Sequence, residues 1–367
     1  MTSAPRPAVP PSGRLHPRVA ALLTLGLVTV GLLTFTGEST APRNSLHGWS
    51  GSTMGTTYRV QIDAEMDGTD QRQLADQVDR VLTRVNVLMS TYDSTSEISR
   101  FNRHRSVEPF AISPELVQVL ARALDISRRS GGAFDVTVGP LVDAWGFGPG
   151  DTDPMSPGES RLETLREGVG STGLYLDSSS RTLAKSHGET GIDLSAIAKG
   201  YAVDLIAALL EAHGLNRYLV EIGGELRAGT PPRHGEPWSV GIERPEPGRR
   251  RLGFRLTLDR QAIATSGDYR NFRTTEAGRH SHLIDPRTGA ALPFTGMSVS
   301  VVDATAAAAD AWATALSVLG VEQGFDLAVR EEVAALFLTD SAGEVAARPT
   351  PLFLERVSGL QEVEWES

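Results

Sequence analysis

The sequence predicts an α+β fold, in which a single domain of mixed sheets and helices follows an N-terminal transmembrane or signal segment. Strand-like patterns occur in clusters, with helical patterns of several turns between them, and this arrangement is typical of the α+β class. The 367 residues, of which 40% are hydrophobic and 22% charged, are enough for one large globular domain. No internal repeat or low-complexity linker divides the chain, so we expect one domain over residues 53–350.

The N-terminal region differs in composition from the rest. Residues 1–18 contain arginine and proline but no acid, and residues 19–36 run without a charged side chain. As a helix the second segment is roughly 26 Å long, close to the thickness of a hydrocarbon core. We expect a cytoplasmic tail, a membrane anchor over 19–36, a linker over 37–52 and an extracytoplasmic domain at the cell membrane. A cleaved signal peptide, giving an exported protein, is the alternative, although Pro42 follows the best cleavage site and disfavours it.

The elements of the domain follow in order. Alternation over 57–62 predicts a strand, and apolar spacing over 74–88 predicts a helix. A further helix begins at Pro114 with Ser113 as its N-cap, and the segment 131–140 reads as a helix stop, a tight turn and a strand. The remaining expectations are a loop over 148–160, strands near 174–176, 182–185, 218–222, 238–242 and 254–258, a helix over 304–319, a strand over 334–338 and a C-terminal tail over 351–367.

Composition excludes several classes of function. The net charge is -10, which makes nucleic acid an improbable partner. The chain contains no cysteine, and this excludes disulfides, thiolate metal sites, a cysteine nucleophile and a lipid-modified N-terminal cysteine. Any attachment to a membrane would therefore depend on the segment 19–36.

The segment 191–204 is the most informative part of the chain. It begins like the end of a buried strand and continues as an amphipathic helix from Ala202 to Leu210, with Asp193 and Lys199 at the junction among small and apolar residues. An acid and a lysine at such a junction either brace the turn, or help its free backbone groups to hold a ligand. Both interpretations remain open from these residues alone.

Two oxygen-bearing side chains lie in an alanine-rich helix. Asp310 and Thr314 are four residues apart and so lie on one helix face. A buried carboxylate is costly unless it is paired or bound to a metal. A carboxylate and a hydroxyl suit Mg²⁺, with waters and phosphate oxygens completing its coordination. The alternative is that Asp310 bonds a neighbouring loop and Thr314 bonds its own helix.

Glycine-rich segments and two histidines add to this pattern. The segments 131–140 and 221–225 would allow a flat or phosphorylated ligand to approach the backbone, although a helix cap and a simple turn are the alternatives. His280 and His282 share one strand face. They could form a surface pair, a metal pair or a general base beside a phosphate site.

An apolar slot is the last candidate feature. Met54 and Tyr92 could flank an aromatic ring, or could simply pack in the core. The dinucleotide-binding glycine pattern, the P-loop and the zinc-protease pattern are absent. Taken together, the acid, the lysine, the glycine turns and the paired oxygens indicate a metal-assisted phosphate site beside an apolar slot, which describes a nucleotide with a large ring.

Eight segments, in this order, resemble the FAD:protein FMN transferases of the ApbE family. The resemblance extends from about residue 50 to 340 and implies an ApbE-like domain with a T-fold-type core. The segments are Met54-Gly-Thr; Met89-Ser-Thr-Tyr with Arg100-Phe-Asn102; 132–142; 193–204; 221–225; 264–269; 282–289; and 309–316.

The resemblance implies an activity and a set of site residues. Members bind FAD and Mg²⁺, break the pyrophosphate, join FMN through a phosphoester to a Thr or Ser hydroxyl of a target protein and release AMP. Magnesium would be held by the Ala196 carbonyl and by the side chains of Asp310 and Thr314, and His282 would take the proton of the acceptor hydroxyl. FAD would contact Met54, Tyr92, Ala133, Phe134, Asp135, Asp193, Lys199, Ser266 and Ile284.

Two other activities remain open at this point. A Mg²⁺-dependent FAD pyrophosphatase would use the same site, with water in place of the acceptor hydroxyl. A non-catalytic extracytoplasmic flavin-binding protein would hold FAD without cleaving it. The expected partners are FAD, an acceptor protein with a flavin-attachment Thr or Ser, and the membrane through the N-terminal segment.

Overall fold

The computed structural model describes residues 46–149, 157–233, 235, 237–275, 278–341 and 344–363. The predicted tail 1–18 and the predicted anchor 19–36 lie outside these residues. Within the described ranges, no helix combines the length and the apolar character needed to cross a membrane.

The described part contains seventeen strands. They are β1 Leu46–Thr53, β2 Thr56–Asp63, β3 Phe110–Ala111, β4 Leu174–Asp177, β5 Thr182–Lys185, β6 Tyr218–Ile222, β7 Glu225–Ala228, β8 Trp238–Glu243, β9 Leu252–Leu258, β10 Ala262–Gly267, β11 Phe272–Thr275, β12 Gly278–Ile284, β13 Ala291–Pro293, β14 Met297–Asp303, β15 Ala334–Ser341, β16 Glu344–Pro349 and β17 Ser358–Glu362.

Eight α-helices and two short 3₁₀ turns complete the described part. The helices are α1 Gly68–Met89, α2 Glu97–Arg103, α3 Pro114–Arg129, α4 Gly139–Ala144, α5 Glu159–Arg166, α6 Ser195–Ala212, α7 Ala306–Arg330 and α8 Pro351–Arg356, and the 3₁₀ turns are Val136–Val138 and Ser171–Gly173.

An eight-stranded sheet forms the centre of the domain. Its order is β1-β2-β6-β7-β10-β14-β15-β16, and every neighbouring pair is antiparallel. On one face, α6 and α7 pack against the sheet, α1 and α3 pack beside them, and the main hydrophobic core lies between. On the other face, a second core joins the sheet to β8, β9 and α8. The predicted α+β class is therefore confirmed.

Two tight turns lie at the same end of this sheet. Met54 and Gly55 connect β1 to β2, and both have positive φ. Gly223 and Gly224 connect β6 to β7 in the same way. Two-residue hairpin loops with two positive φ values match the twist of the strands that they join. Since β2 and β6 are neighbours, the turns lie side by side, and Gly223 N–H donates to the Thr57 carbonyl at 3.1 Å.

Most predicted elements are present in the structure. The errors concern mainly where structured segments begin and end. Ser113 caps α3 as predicted, since its hydroxyl accepts from Leu116 N–H. The predicted linker 37–52 is wrong from Leu46 onward, because β1 pairs with β2 over eight residues. The predicted C-terminal tail 351–367 is also wrong in part: α8 buries Phe353 in the second core, and β17 pairs with β9.

The predicted strand within 131–140 is absent. The Asp135 carboxylate accepts hydrogen bonds from both the N–H and the hydroxyl of Thr137, which caps a helical turn. The chain then continues directly into α4. In the same region, the predicted loop 148–160 ends at Glu159, where α5 begins, and residues 150–156 lie outside the described ranges.

Two helices extend beyond their predicted limits. The expected strand end before Asp193 has no regular secondary structure, and α6 starts at Ser195, so Lys199 lies within the helix rather than at a junction. The helix predicted over 304–319 continues to Arg330, although Gly320 interrupts its regular geometry with a φ of 74°.

Candidate active site

The candidate site lies where α6 and α7 cross, beside the Gly223-Gly224 turn. The helices meet backbone to backbone, because a Cβ built on Gly200 would lie 2.5 Å from the Ala306 carbonyl carbon. The Asp204 carboxylate fixes their relative position, since it accepts from Ala306 N–H at 2.9 Å and from Ala307 N–H at 3.0 Å. Asp204 therefore acts as an N-cap supplied by one helix to the other.

Three charged groups meet at this crossing. The Lys199 ammonium lies 2.6 Å from Oε1 of Glu225 and 3.9 Å from Oδ1 of Asp310. Both carboxylates are buried, and Oε2 of Glu225 has no hydrogen-bond partner among the described residues. Lys199 lies on α6, Asp310 on α7 and Glu225 at the start of β7, so three separate segments build the cluster.

The pKa values of this cluster reflect burial and mutual charge. Burial raises the pKa of Asp310 to about 7, because desolvation outweighs the opposing effect of Lys199. For Lys199, burial lowers the pKa, but the negative charges of Asp310 and Glu225 outweigh it and raise the pKa above its ordinary value. The ammonium therefore stays charged, whereas a second cation near Asp310 would favour the ionised carboxylate.

The oxygens around Asp310 fit a magnesium ion. Gly200 N–H donates to Oδ2 of Asp310 at 3.1 Å. In a regular helix this N–H bonds the carbonyl four residues earlier, so the Ala196 carbonyl shares or loses its usual partner. Thr314 lies one turn after Asp310 on α7, so both side chains lie on one face of the helix. A carboxylate, a carbonyl and a hydroxyl are ligands that Mg²⁺ accepts.

A metal ion at this site would depend on these mixed oxygens. The described ranges contain no group of three or more His, Asp or Glu side chains that could hold a metal ion. Mg²⁺ usually keeps several waters and takes only one or two carboxylates from the protein, together with phosphate oxygens of the substrate. A single carboxylate in a set of mixed oxygens therefore fits a magnesium site that is completed by a phosphorylated ligand.

His282 lies on β12, within range of the charge of Lys199. Its Nδ1 is 3.1 Å from the Asn271 carbonyl, which makes Nδ1–H the donor and leaves Nε2 as a proton acceptor. Burial lowers the pKa of His282 below its ordinary value; the Asn271 hydrogen bond opposes this effect, and the charge of Lys199 adds to it. The ring is thus neutral at pH 7, as a general base requires.

Phe147 contacts both His282 and Tyr92. The rings of Phe147 and His282 are 6.4 Å apart, and the Tyr92 hydroxyl lies 3.5 Å from the Phe147 carbonyl. Tyr92 is 73% exposed, so its ring is available to a ligand rather than packed in the core. The charges of Asp193 and Asp143 both act on its hydroxyl, which locates Asp193 near this ring.

Three other predicted contacts belong to the segment before α4. Ala133, Phe134 and Asp135 are buried, so they offer little surface to a ligand in this structure. The Asp135 carboxylate is already bonded by Thr137 and by Ser171 N–H at 2.7 Å. Its side chain therefore organises the local backbone, and contact of this segment with FAD stays a prediction.

The remaining predicted residues lie at the edges of this site. Met54 is half-buried at the tip of its hairpin and packs against the main core. Ser266 is half-buried near the end of β10, and its carbonyl accepts from the Ser317 hydroxyl at 3.4 Å. Ile284 is buried at the end of β12, in a small cluster with Leu141. A role for these residues in binding FAD stays a prediction.

Comparison with known proteins identifies the family. A sequence profile of the ApbE family matches residues 54–337. The chain belongs to the ApbE family. The FAD:protein FMN transferase of Vibrio cholerae is 39% identical over 333 residues, covering 90% of this chain and 99% of the relative. That of Escherichia coli K12 is 34% identical over 308 residues, covering 83% and 87%.

Solved structures agree with this assignment. The flavin transferase ApbE from Vibrio cholerae matches with a TM-score of 0.77 at 38% identity, covering 85% of this chain and 99% of that chain. The apo form of the Pseudomonas stutzeri flavinyl transferase ApbE matches with a TM-score of 0.77 at 34% identity, covering 85% and 96%. The family resemblance inferred from eight sequence segments is confirmed.

Three residues of this ApbE-family site escaped the sequence analysis. Asn102 holds the segment before α6, because its amide donates to the Ile192 carbonyl at 2.8 Å and accepts from Ile192 N–H at 2.7 Å. Glu225 pairs with Lys199, and Asp204 caps α7. Each lies in a segment used for the resemblance, but only the fold shows its partner.

Proposed function

We propose that this protein transfers FMN from FAD to a Thr or Ser hydroxyl of a target protein, in a Mg²⁺-dependent reaction that releases AMP. The Lys199–Asp310 pair at the α6–α7 crossing, with His282 on β12 within range of the Lys199 charge, is the observation that carries the proposal. It combines a fixed cation, a site of hard oxygens and a neutral base with a free nitrogen. The names of the relatives point to the same reaction.

Each residue of the site would have a role that follows from its chemistry. The Asp310 and Thr314 side chains and the Ala196 carbonyl would hold Mg²⁺, which would offset negative charge on the pyrophosphate. Lys199 has three N–H donors and uses one on Glu225, so the others can bind phosphate oxygens. The exposed ring of Tyr92 would lie against the flavin.

The transfer step depends on His282. Nε2 of His282 would take the proton of the acceptor hydroxyl as that oxygen attacks the phosphorus of the FMN half of FAD. The new P–O bond joins FMN to the acceptor, while the bond from this phosphorus to the bridging oxygen breaks and AMP leaves. A positioned base contributes roughly 10²–10⁴-fold to such a step.

The test is incubation of the purified protein with FAD, Mg²⁺ and an acceptor domain that carries a flavin-attachment threonine. We expect in-gel flavin fluorescence on the acceptor and one AMP for each flavin transferred. His282→Gln should keep FAD binding but lower transfer by roughly 10²–10⁴-fold. Free FMN and AMP without a labelled acceptor would indicate a pyrophosphatase. Tight FAD binding with no AMP would indicate a flavin-binding protein.

We also propose that the domain is extracytoplasmic and is tethered by residues 19–36. The support is the sequence alone, namely the uncharged run after a tail that contains arginine and no acid. Fractionation of cells that express the full chain, followed by protease treatment of spheroplasts, tests this proposal. Recovery of the full-length protein in the cytosol would contradict it.

A further inference from the structure

Glu225 has no part in the proposed chemistry, yet it is buried at the centre of the site. Its Oε1 accepts from the Lys199 ammonium at 2.6 Å, and its Oε2 is buried without a hydrogen-bond partner among the described residues. A buried carboxylate is costly unless it is paired with a charge of opposite sign. The interaction with Lys199 is thus what this residue contributes.

The distances show that Lys199 bonds one carboxylate and only faces the other. Its ammonium is 2.6 Å from Glu225 but 3.9 Å from Oδ1 of Asp310, beyond the roughly 3.2 Å limit of a good hydrogen bond. The Gly223 turn packs against both partners. A Cβ at Gly223 would lie 3.4 Å from Cδ of Lys199 and 3.4 Å from Oε2 of Glu225.

We propose that Glu225 is a positioning residue that holds Lys199 away from Asp310 and so keeps Oδ1 of Asp310 open to a divalent cation. Without the Glu225 carboxylate, the ammonium would close the remaining gap and pair with Asp310. A metal ion would then have to displace a buried salt bridge before it could bind. The inference rests on the proposed function in one respect only, the use of Asp310 as a metal ligand.

Binding of Mn²⁺ alone to the full-length, FAD-free protein provides the test, because Mn²⁺ accepts the same oxygen ligands and is visible by EPR. Glu225→Gln should raise the Mn²⁺ Kd by about tenfold, a coupling of the size found for groups in one charged network. In a Lys199→Met background, where no ammonium needs to be held, the same substitution should change the Kd by less than about twofold.

Two further variants separate positioning from simple charge. Glu225→Asp keeps the charge but shortens the side chain, so it should also raise the Kd several-fold, whereas a purely electrostatic role predicts no change. Glu221→Gln is the matched control, because Glu221 is buried at the other end of the same turn and accepts from Gly224 N–H at 2.9 Å rather than from Lys199. We expect Glu221→Gln to change the Mn²⁺ Kd by less than about twofold.

The possible outcomes distinguish this inference from the proposed function. If Glu225→Gln weakens Mn²⁺ binding by the same factor with and without Lys199, Glu225 is only a nearby charge and the inference is wrong. If Asp310→Ala leaves Mn²⁺ binding to the otherwise unchanged protein intact, the metal site itself is wrong, and the proposed function loses its metal. Thermal unfolding of each variant confirms that the comparison is made between folded proteins.

Discussion

Gly200→Ala is the sharpest test of how the site is built. A Cβ at this position would lie 2.5 Å from the Ala306 carbonyl carbon and 2.7 Å from Ala307 N, and both contacts are with backbone. Ordinary contact begins at 3.4 Å, so the two helices must separate by about 1 Å. Overpacking of this kind costs about 1–3 kcal/mol. At roughly 2–4 °C for each kcal/mol, we expect Tm to fall by about 2–12 °C.

The same displacement acts directly on the proposed chemistry. Ala196 and Lys199 lie on α6, whereas Asp310 and Thr314 lie on α7. Moving the helices apart therefore separates the two halves of the metal site. A misplacement of about 1 Å can lower a rate by roughly 10²-fold. We expect a loss of this size in the rate of flavin transfer, measured at saturating FAD by in-gel fluorescence, at a temperature where the variant is folded.

Gly68→Ala is the matched control for this experiment. Gly68 also lies in a helix, but a Cβ there meets no atom within 4 Å. Alanine is the better helix former, so the unfolding free energy should stay the same or rise by up to about 1 kcal/mol. A Gly200→Ala protein with the Tm and transfer rate of the original chain would refute the close crossing of α6 and α7.

Three more predictions follow from buried groups. Because burial lowers the pKa of His282, the transfer rate should rise with pH only below pH 6.5 and should be constant above pH 7. A transfer rate that still rises above pH 7 would contradict the role of His282 as a neutral base. Asp204→Ala leaves two N–H groups of α7 without their acceptor and removes the nearer of the two carboxylates beside Arg227. Urea denaturation should therefore show a loss of about 2–4 kcal/mol, and a loss below about 0.5 kcal/mol would rule out the cap. Burial lowers the pKa of Lys185 to about 8, so between pH 8 and 10.5 the unfolded chain binds more protons than the folded protein. Over this range the unfolding free energy of the original protein should rise with pH relative to that of Lys185→Met. A difference between the two proteins that does not change with pH would show that Lys185 titrates normally.

Much of the fold could be predicted because the spacing of apolar residues and the residues that cap helices are local properties of the sequence. The spacing of apolar residues identified α1, and Ser113 with Pro114 marked the start of α3, which the structure confirms. Some errors arose where a long-range contact decides the local structure, whereas the absent strand within 131–140 reflects the local cap of Asp135 on Thr137. The strand Leu46–Thr53 exists because β2 is available to pair with it, and α8 exists because Phe353 enters the second core. The pairing of β1 with β2 is absent from any local pattern, whereas Thr350 and Pro351 at the start of α8 are a local signal of the same kind as Ser113 and Pro114.

The same distinction between local and long-range information applies to the residues of the candidate site. Asp310 and Thr314 were recognisable as a pair because one helix carries both, and their separation by four residues puts them on one face. Lys199 was assigned to a junction, but it lies inside α6, and its partner Glu225 is on a strand that only the fold brings near. Pairings between segments thus required coordinates, whereas pairings within a segment did not.

The residues that assemble the site carry little chemistry of their own. Gly200 lets two helices touch, Gly223 lets a turn pack against Lys199, and Asp204 fixes where α7 begins relative to α6. None of them would be chosen as a catalytic residue from its type. Each nevertheless sets the distance between groups that must act together, and a substitution at any of them would move a ligand or a charge. The order of short segments therefore identified the family more securely than any single residue, because the geometry of this site belongs to the contacts between the segments.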